Sequence, residues 1–308
     1  MQDSGDLTLV TGGAGFIGSH SVEALLASGR RVRVLDNFST GRRERLPAAH
    51  PQLDIVEGDI RDRPAVEAAM RGATSVLHLA AQIFVQVSIE DPVNSCQQNV
   101  LGFVTVLDCA RRAAVRRVVY ASSAAVYGTP VALPLTEDSP LAPLSPYGLE
   151  KRINEQYAEL FRSLYGLNSL GLRYFNVYGP RQDPASPYSG VISKFVRAAD
   201  EGVPVRIFGD GLQTRDFVFV KDIARANVAA LSRDGQGVCN VGTGESVTLL
   251  QMVDALEACC GKKLERRFEP PAVGDIRESR MSPARLEQWL GSRPAVPLRT
   301  GLAELIAG

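Results

Sequence analysis

Several things are scarce in this 308-residue chain, and each scarcity removes a class of protein. The only histidines are His20, His50 and His78, with no two at helical spacing, so a histidine-built metal site has little to work with. Packing or surface duty is expected of all three, and no metal is expected. The cysteines, Cys96, Cys109, Cys239, Cys259 and Cys260, are odd in number and form no CxxC pair, which argues against a disulfide framework and a zinc site. They read as reduced thiols of a cytoplasmic protein. No run of 18 apolar residues occurs, and MQDSGDLTLV lacks a basic segment before an apolar one, so no membrane partner is expected. Net charge is missing too. The 34 basic and 34 acidic side chains cancel and no like-charge block appears, leaving no basic field for nucleic acid.

What is present is ordinary globular material, 45% hydrophobic. The surface scaling law gives a folded area of about 12,600 Å² against about 48,000 Å² unfolded, enough burial for one or two cores. Short β-rich runs at 7–10, 31–36, 53–59, 75–80, 117–123 and 169–175 alternate with helical patterns at 16–28, 62–71, about 92–114 and 146–165. Gly29 and Gly166 close two of those helices. Such alternation predicts an α/β fold, a doubly wound parallel sheet of Rossmann type. After residue 177 the proline- and glycine-rich YGPRQDPASPYSG changes the texture. A smaller mixed α/β lobe is expected over 178–308, against a dinucleotide-binding domain over 1–177, with the segment around 212–242 free to return to the first sheet. The stretch 131–146, VALPLTEDSPLAPLSP, is too polar and broken for a regular element.

The first run leads into Thr11-Gly12-Gly13-Ala14-Gly15-Phe16-Ile17-Gly18 and then an amphipathic helix. Glycines there let backbone approach a pyrophosphate where helix N-terminal amides converge. A tight turn alone is the plainer reading of three spaced glycines, but strand before and helix after favour the phosphate cradle. Asp36 ends the next run, 18 residues beyond Gly18. A carboxylate there accepts from ribose hydroxyls and repels a 2′-phosphate, which points to NAD rather than NADP. Arg42 and Arg43 argue the other way only if they turn toward the ribose; as loop charges they do not. Asp59 and Ile60 are candidates to border the adenine, and Leu79, Ala80 and Ala81 to run beside the dinucleotide, unless both segments are core.

Ser145-Pro146 begins a helix, so Tyr147 and Lys151 share one face at i, i+4. A free phenol titrates near pH 10; lowering it by about three units takes roughly 4 kcal/mol. A lone surface lysine does not supply this. Lysine together with the positive nicotinamide ring in a water-poor cleft does. Y-x-x-x-K is common by chance, but Ser122 and Ser123 end a strand on the ligand-binding side of the same sheet. Ser123 is the candidate to bond the substrate hydroxyl and pass its proton, although the sequence does not decide between it and Ser122.

TGGAGFIG, LDNFSTG, GDIRD, HLAA, the Asn99 helix, SSAAVYG, SPYGLEK, LRYFNVYGPRQ, RDFVFVKD and NVGTGES together resemble the extended short-chain dehydrogenase/reductases, the nucleotide-sugar epimerase/dehydratase family, over nearly the whole chain. The resemblance implies that Tyr147 deprotonates the C4 hydroxyl of a nucleotide-diphosphate sugar while hydride passes to tightly bound NAD. It adds Asn37, Ser39, Thr40, Gly41, Asn99, Ser122 and Phe175 to the cofactor contacts. Family dehydratases carry an Asp-Glu pair after the serine or threonine; here Ala124 and Ala125 stand there, leaving 4-epimerisation. The resemblance further implies Asn176, Arg215, Asp275, Arg277 and Ser279 as substrate contacts, although Ala272 and Arg280-Met281-Ser282-Pro283 depart from the family pattern. A plain surface ion pair with Asp216 is the other reading of Arg215. Ser279 matches the position that gates sugar size, and a small residue there implies room for an acetamido group: UDP-N-acetylhexosamine, with UDP-hexose as the alternative. The branch resembled most is the UDP-glucose/UDP-N-acetylglucosamine 4-epimerases, whose members commonly form homodimers through two helices per subunit, here 92–114 and 146–165, with Ile153, Leu160 and Leu164 as candidates for the seam. A one-way dehydrogenase or reductase and a non-catalytic NAD-binding regulator are the rival readings.

Overall fold

The computed structural model describes residues 6–183, 190–271, 276–291 and 293–307. Its centre is a sheet of seven parallel strands. In chain order these begin with β1 (Leu7–Thr11), β2 (Arg31–Asp36), β3 (Leu53–Glu57), β4 (Ala73–His78), β5 (Arg117–Ser123) and β6 (Ser169–Tyr174). Three short strands follow, β7 (Asn176–Tyr178), β8 (Val205–Phe208) and β9 (Thr214–Arg215), then β10 (Phe217–Phe219) and β11 (Gly237–Val241), which is the seventh member of the sheet. The spatial order is β11-β6-β5-β4-β1-β2-β3. The order therefore reverses between β1 and β4, and the carboxyl ends beside that switch point are where ligands bind in open α/β sheets. Strands such as β1 and β6 are buried throughout, as expected where helices cover both faces.

The covering helices are α1 (Phe16–Ala27), α2 (Arg63–Met70), a short α3 (Val85–Glu90), α4 (Pro92–Cys96), α5 (Gly102–Arg112) and α6 (Pro146–Tyr165). The span expected as one helix at 92–114 is α4 and α5 joined through a π-turn at Gln97–Leu101, which carries Asn99. Helix α6 starts and stops where its chemistry dictates. Ser145 Oγ accepts from the Gly148 amide, Pro146 fills the first turn, and Gly166 ends the helix at φ 69°.

After β7 come α7 (Val191–Glu201), α8 (Val220–Ser232), β12 (Val247–Thr248), α9 (Leu249–Cys260), β13 (Arg266–Glu269), α10 (Ala284–Leu290) and α11 (Leu298–Ala307). The chain twice leaves the second lobe. Ile223, Ala226, Ala230 and Leu231 of α8 share a core with Val22, Leu25 and Leu26 of α1, and β11 pairs with β6. We propose residues 177/178 as the lobe boundary, crossed again by these elements. A separate core joins Phe195, Val205, Ile207, Met252, Leu256 and Leu302 in the second lobe. The strap 131–145 holds neither helix nor strand. It touches the second lobe through an isolated bridge, Leu135 to Met281, where the Leu135 amide donates to Arg280 O at 2.8 Å.

Candidate active site

A cleft of about 360 Å³ opens at the carboxyl ends of β1, β2, β4, β5 and β6. Its floor is the glycine turn and the start of α1: Gly12, Gly15, Phe16, Ile17 and Gly18. Gly12 sits at φ 69°, and a Cβ on it would lie 2.6 Å from the Ala80 amide nitrogen, so only glycine lets the turn lie against the end of β4. Gly15 caps α1 without a side chain, which leaves the first-turn amides of the helix to whatever anion enters.

Asp36 is buried at one end of the cleft. Its Oδ2 accepts from the Ala14 amide and Oδ1 from the Phe38 amide, both at 2.9 Å, so backbone rather than a cation orients the carboxylate. Asn37, Ser39, Thr40 and Gly41 continue the wall. Arg42 pairs with Asp183 and Arg43 lies over Phe38, and neither lines the cleft, in keeping with their reading as loop charges. Asp59 is gripped by Arg61 through Nε and Nη2 at 2.9 and 2.7 Å and by Asn37 at 3.0 Å, which holds its carboxyl well below the usual carboxylate range. Ile60, Leu79, Ala80 and Ala81 complete this side. These groups fit NAD on the chain's own geometry, with a glycine-only turn, an uncapped helix start and a preset carboxylate.

The opposite wall carries Ser122, Ser123, Tyr147, Lys151 and Phe175. Lys151 Nζ donates to Ala121 O at 3.0 Å and lies 5.7 Å from the Tyr147 ring centroid. Burial pushes the ammonium down to about 8, with Glu150 opposing it. Burial also pushes the phenol up to about 12; a hydrogen bond from Ser123 favours the phenolate and the charge of Glu150 disfavours it. The starting point is thus higher than a free tyrosine, because removal from water outweighs the local donors. Between the two serines the geometry discriminates. Neighbouring strand residues face opposite ways: Ser123 meets Tyr147, whereas the Ser122 hydroxyl donates to Glu155 Oε1 at 2.6 Å.

Other expected site residues lie elsewhere. Asn99 does not line the cleft, because its amide is consumed: Oδ1 accepts from the Gln82 amide, while Nδ2 donates to Gln82 O and Glu150 Oε2. It braces the cleft wall from behind. Asn176 Nδ2 donates to Asp216 O at 3.3 Å, and its own amide donates to the same oxygen. Arg215 Nη1 donates to Thr214 O and Ile276 O, and Arg277 grips Asp210 through two bonds at 2.6 and 2.8 Å. The Ser279 side chain is buried beside Thr214, whose Oγ1 accepts from the Ser279 amide at 3.4 Å. Asp275 lies outside the described residues, as does Ala272. The Arg215–Asp216 surface pair is replaced by a buried arrangement in which the Asp216 carboxylate accepts from Thr243 and Gly244 amides, joining RDF to VGTG. Sequence reasoning missed Ile83, Gln98, Val177 and Gln182 on the cleft wall. Gln182 ends a quoted motif and was available; Gln98 reaches the wall only through the π-turn. Among the described residues no cluster of three or more His, Cys, Asp or Glu is placed to hold a metal ion, and no helix is long and apolar enough to cross a membrane.

A cradle that presets a dinucleotide, with a phenol and an ammonium on the facing wall, is suited to moving a hydride and a proton together, which defines a short-chain dehydrogenase/reductase enzyme. The model of the NAD dependent epimerase/dehydratase family matches residues 8–242. UDP-glucose 4-epimerase of Mycolicibacterium smegmatis is 42% identical over 304 residues, covering 97% of each chain. In the solved structures, UDP-glucose 4-epimerase of Thermus thermophilus in complex with NAD is 41% identical at TM-score 0.90, covering 98% of each chain. UDP-N-acetylglucosamine 4-epimerase of Methanobrevibacter ruminantium in complex with UDP-N-acetylmuramic acid superposes at TM-score 0.95 with 35% identity, over 98% of this chain and 97% of that one. The chain belongs to the NAD-dependent epimerase/dehydratase family, in its UDP-sugar 4-epimerase branch, and is an NAD-dependent isomerase.

Proposed function

We propose that the enzyme interconverts UDP-N-acetylglucosamine and UDP-N-acetylgalactosamine by inversion at C4. Bound NAD supplies a hydride acceptor and a positive ring. The chain's residues do the rest. Tyr147 takes the C4 hydroxyl proton, Ser123 bridges that hydroxyl to the phenol, and Lys151 adds positive charge beneath the ring. From about 12, bringing the phenol to neutrality takes about five units, roughly 7 kcal/mol. One positive charge even as close as about 4 Å at an effective dielectric of 20 offers only about 4 kcal/mol, so Lys151 alone falls short and the positive ring that NAD would bring would have to supply the rest.

The observation that carries the 4-epimerase reading is that Ala124 and Ala125 follow Ser123 in the turn beside the phenol, where an acid or base is needed for chemistry at C5 or C6. The chemistry left is oxidation at C4, rotation of the keto sugar and return of the hydride to its other face. Buried Ser279 supports the acetamido sugar, as does the likeness to an enzyme that acts on UDP-N-acetylglucosamine. Relatives named for UDP-glucose favour the unacetylated alternative. Assays with both UDP-hexoses and both UDP-N-acetylhexosamines, read by NMR, decide. Epimerisation of the acetylated pair is expected, and a strong preference for UDP-glucose overturns it. Stoichiometric NADH accumulation would instead reveal a dehydrogenase.

A homodimer belongs to the same proposal. Leu101 beside α5 and Leu149, Leu160 and Leu164 on α6 are apolar and exposed, Leu164 by 62%, a surface that a second copy would cover. The unpaired cysteines suit the cytoplasm.

A further inference from the structure

Behind the catalytic wall lies a buried ionic cluster that the reaction as described does not use. Glu155 is two helical turns beyond Tyr147 and one beyond Lys151, on the same side of α6. Its Oε1 accepts from Ser122 Oγ at 2.6 Å and from Arg173 Nε at 2.8 Å, and its Oε2 accepts from Arg173 Nη2 at 2.8 Å. Both side chains of the pair are 2% exposed. Replacing a buried pair of this kind by apolar side chains is often neutral or stabilising, so stability alone is a weak reason for it. Its geometry offers another. One fork ties three elements, namely α6, which presents Tyr147 and Lys151, the end of β5, which presents Ser123, and β6.

The cluster continues outward. Arg173 Nη1 donates to Tyr127 Oη at 2.8 Å, and Tyr127 donates to Asn240 Oδ1 at 2.6 Å. Asn240 in turn donates its amide to Glu137 Oε1 and its side chain to Leu135 O on the strap. Leu135 is bonded to Arg280 and Ser282, in the segment that begins with Ser279. A continuous polar chain therefore runs from Ser122, the chain neighbour of Ser123, to the wall expected to gate the sugar.

We propose that Glu155, locked by Arg173, is a positioning residue that acts through Ser122 to hold Ser123 in register with Tyr147. This rests on the reading of Ser123 as the bridge between sugar hydroxyl and phenol. The Ser122 hydroxyl is held by the clamp: removing it frees the strand end, and the Ser123 donor moves off the line to the phenol.

A double-mutant cycle on the NAD-loaded enzyme tests this, with Ser122→Ala, Ser123→Ala and the double variant. Ser122→Ala is expected to lower kcat about tenfold with KM within twofold, and to move the acid limb of the kcat pH profile upward, because the donor that favours the phenolate is misplaced. On the Ser123→Ala background the same change is expected to cost nothing further. Ser122→Cys, whose longer and weaker donor loosens the bond to Glu155 in nearly the same volume, repeats the cycle with the same loss and the same non-additivity expected if Ser122→Ala does not fold. Wild-type kcat and pH profile in Ser122→Ala, or full multiplication of the two losses, overturns the proposal while wild-type epimerisation leaves the functional reading standing. A wild-type enzyme inactive on every UDP-sugar overturns both.

Discussion

The cofactor half and the sugar half of this molecule are built differently. Around the dinucleotide cleft each expected contact except Asn99 comes from the end of a sheet strand, the turn just after it, the start of α1, or α6, and all meet in one cavity. In the sugar half Arg215, Arg277 and Ser279 are tied to neighbours in their own lobe: Arg215 to Ile276 O, Arg277 to Asp210, Ser279 to Thr214. The first half is preset by backbone geometry, whereas in the second the two arginines are engaged, Arg277 by Asp210 and Arg215 by backbone carbonyls, and on the proposed reading a substrate phosphate would have to compete with those partners. Chemistry is accordingly expected to fail in the first half and affinity in the second.

The largest effect is expected at Tyr147. Tyr147→Phe keeps the ring and removes the acid–base group, so kcat should fall by about 10³-fold while NAD stays bound and the melting temperature is unchanged within a few degrees. Steady-state kinetics with quantified bound dinucleotide checks it; a loss below tenfold moves the proton elsewhere. Next is Gly12→Ala. An alanine at φ 69° with its Cβ against the Ala80 backbone should cost about 3 kcal/mol, from left-handed strain and overpacking together, and should abolish retention of NAD. Thermal unfolding and the dinucleotide released on denaturation measure the two; a variant that keeps its NAD shows that the turn is not the cradle.

Lys151 separates function from stability. Its ammonium is depressed to about 8 in the folded protein against an ordinary 10.5. Between those values the unfolded chain holds the extra proton, so stability rises with pH through that window and the full cost is present below about pH 8. The shift of about 2.5 units corresponds to roughly 3 kcal/mol, less about 1 kcal/mol for the bond to Ala121 O. Lys151→Met is therefore expected to raise the stability of NAD-free protein by about 2 kcal/mol at pH 7, with the gain shrinking toward pH 10.5, while activity is lost. Denaturant unfolding across that range checks it, and a variant less stable than wild type at pH 7 sinks the argument.

The same division decides what was legible beforehand. The glycine turn, Asp36 and the Tyr147–Lys151 face are local signals, because strand, turn and helix place them within a few residues of one another. The role of Asn99 was not legible: helical spacing predicts an unbroken helix over 92–114, and only the π-turn turns its amide onto Gln82 and Glu150. Nor was the choice between Ser122 and Ser123, which depends on Glu155 and Arg173, residues 33 and 51 positions away from Ser122 that meet it only in the folded sheet. The resemblance supplied Arg215 and Arg277, but no periodicity reveals that the RDF segment folds against VGTG through a buried Asp216.

The smallest effect is expected in the sugar half, and it sharpens the comparison most. Arg277 and Asp210 are both more than half exposed, and such a pair adds little to stability even with two short bonds. Arg277→Gln should therefore leave the melting temperature unchanged. If the guanidinium serves only to hold the diphosphate in ground and transition states alike, KM for the UDP-sugar rises about tenfold and kcat stays put. Asp210→Asn, which weakens the grip of Asp210 on the fork, should lower KM by a few-fold, so the two variants move in opposite directions from wild type. If Arg277→Gln instead lowers kcat as steeply as KM rises, the diphosphate grip is felt at C4, and the second half is as much a part of the chemistry as the first.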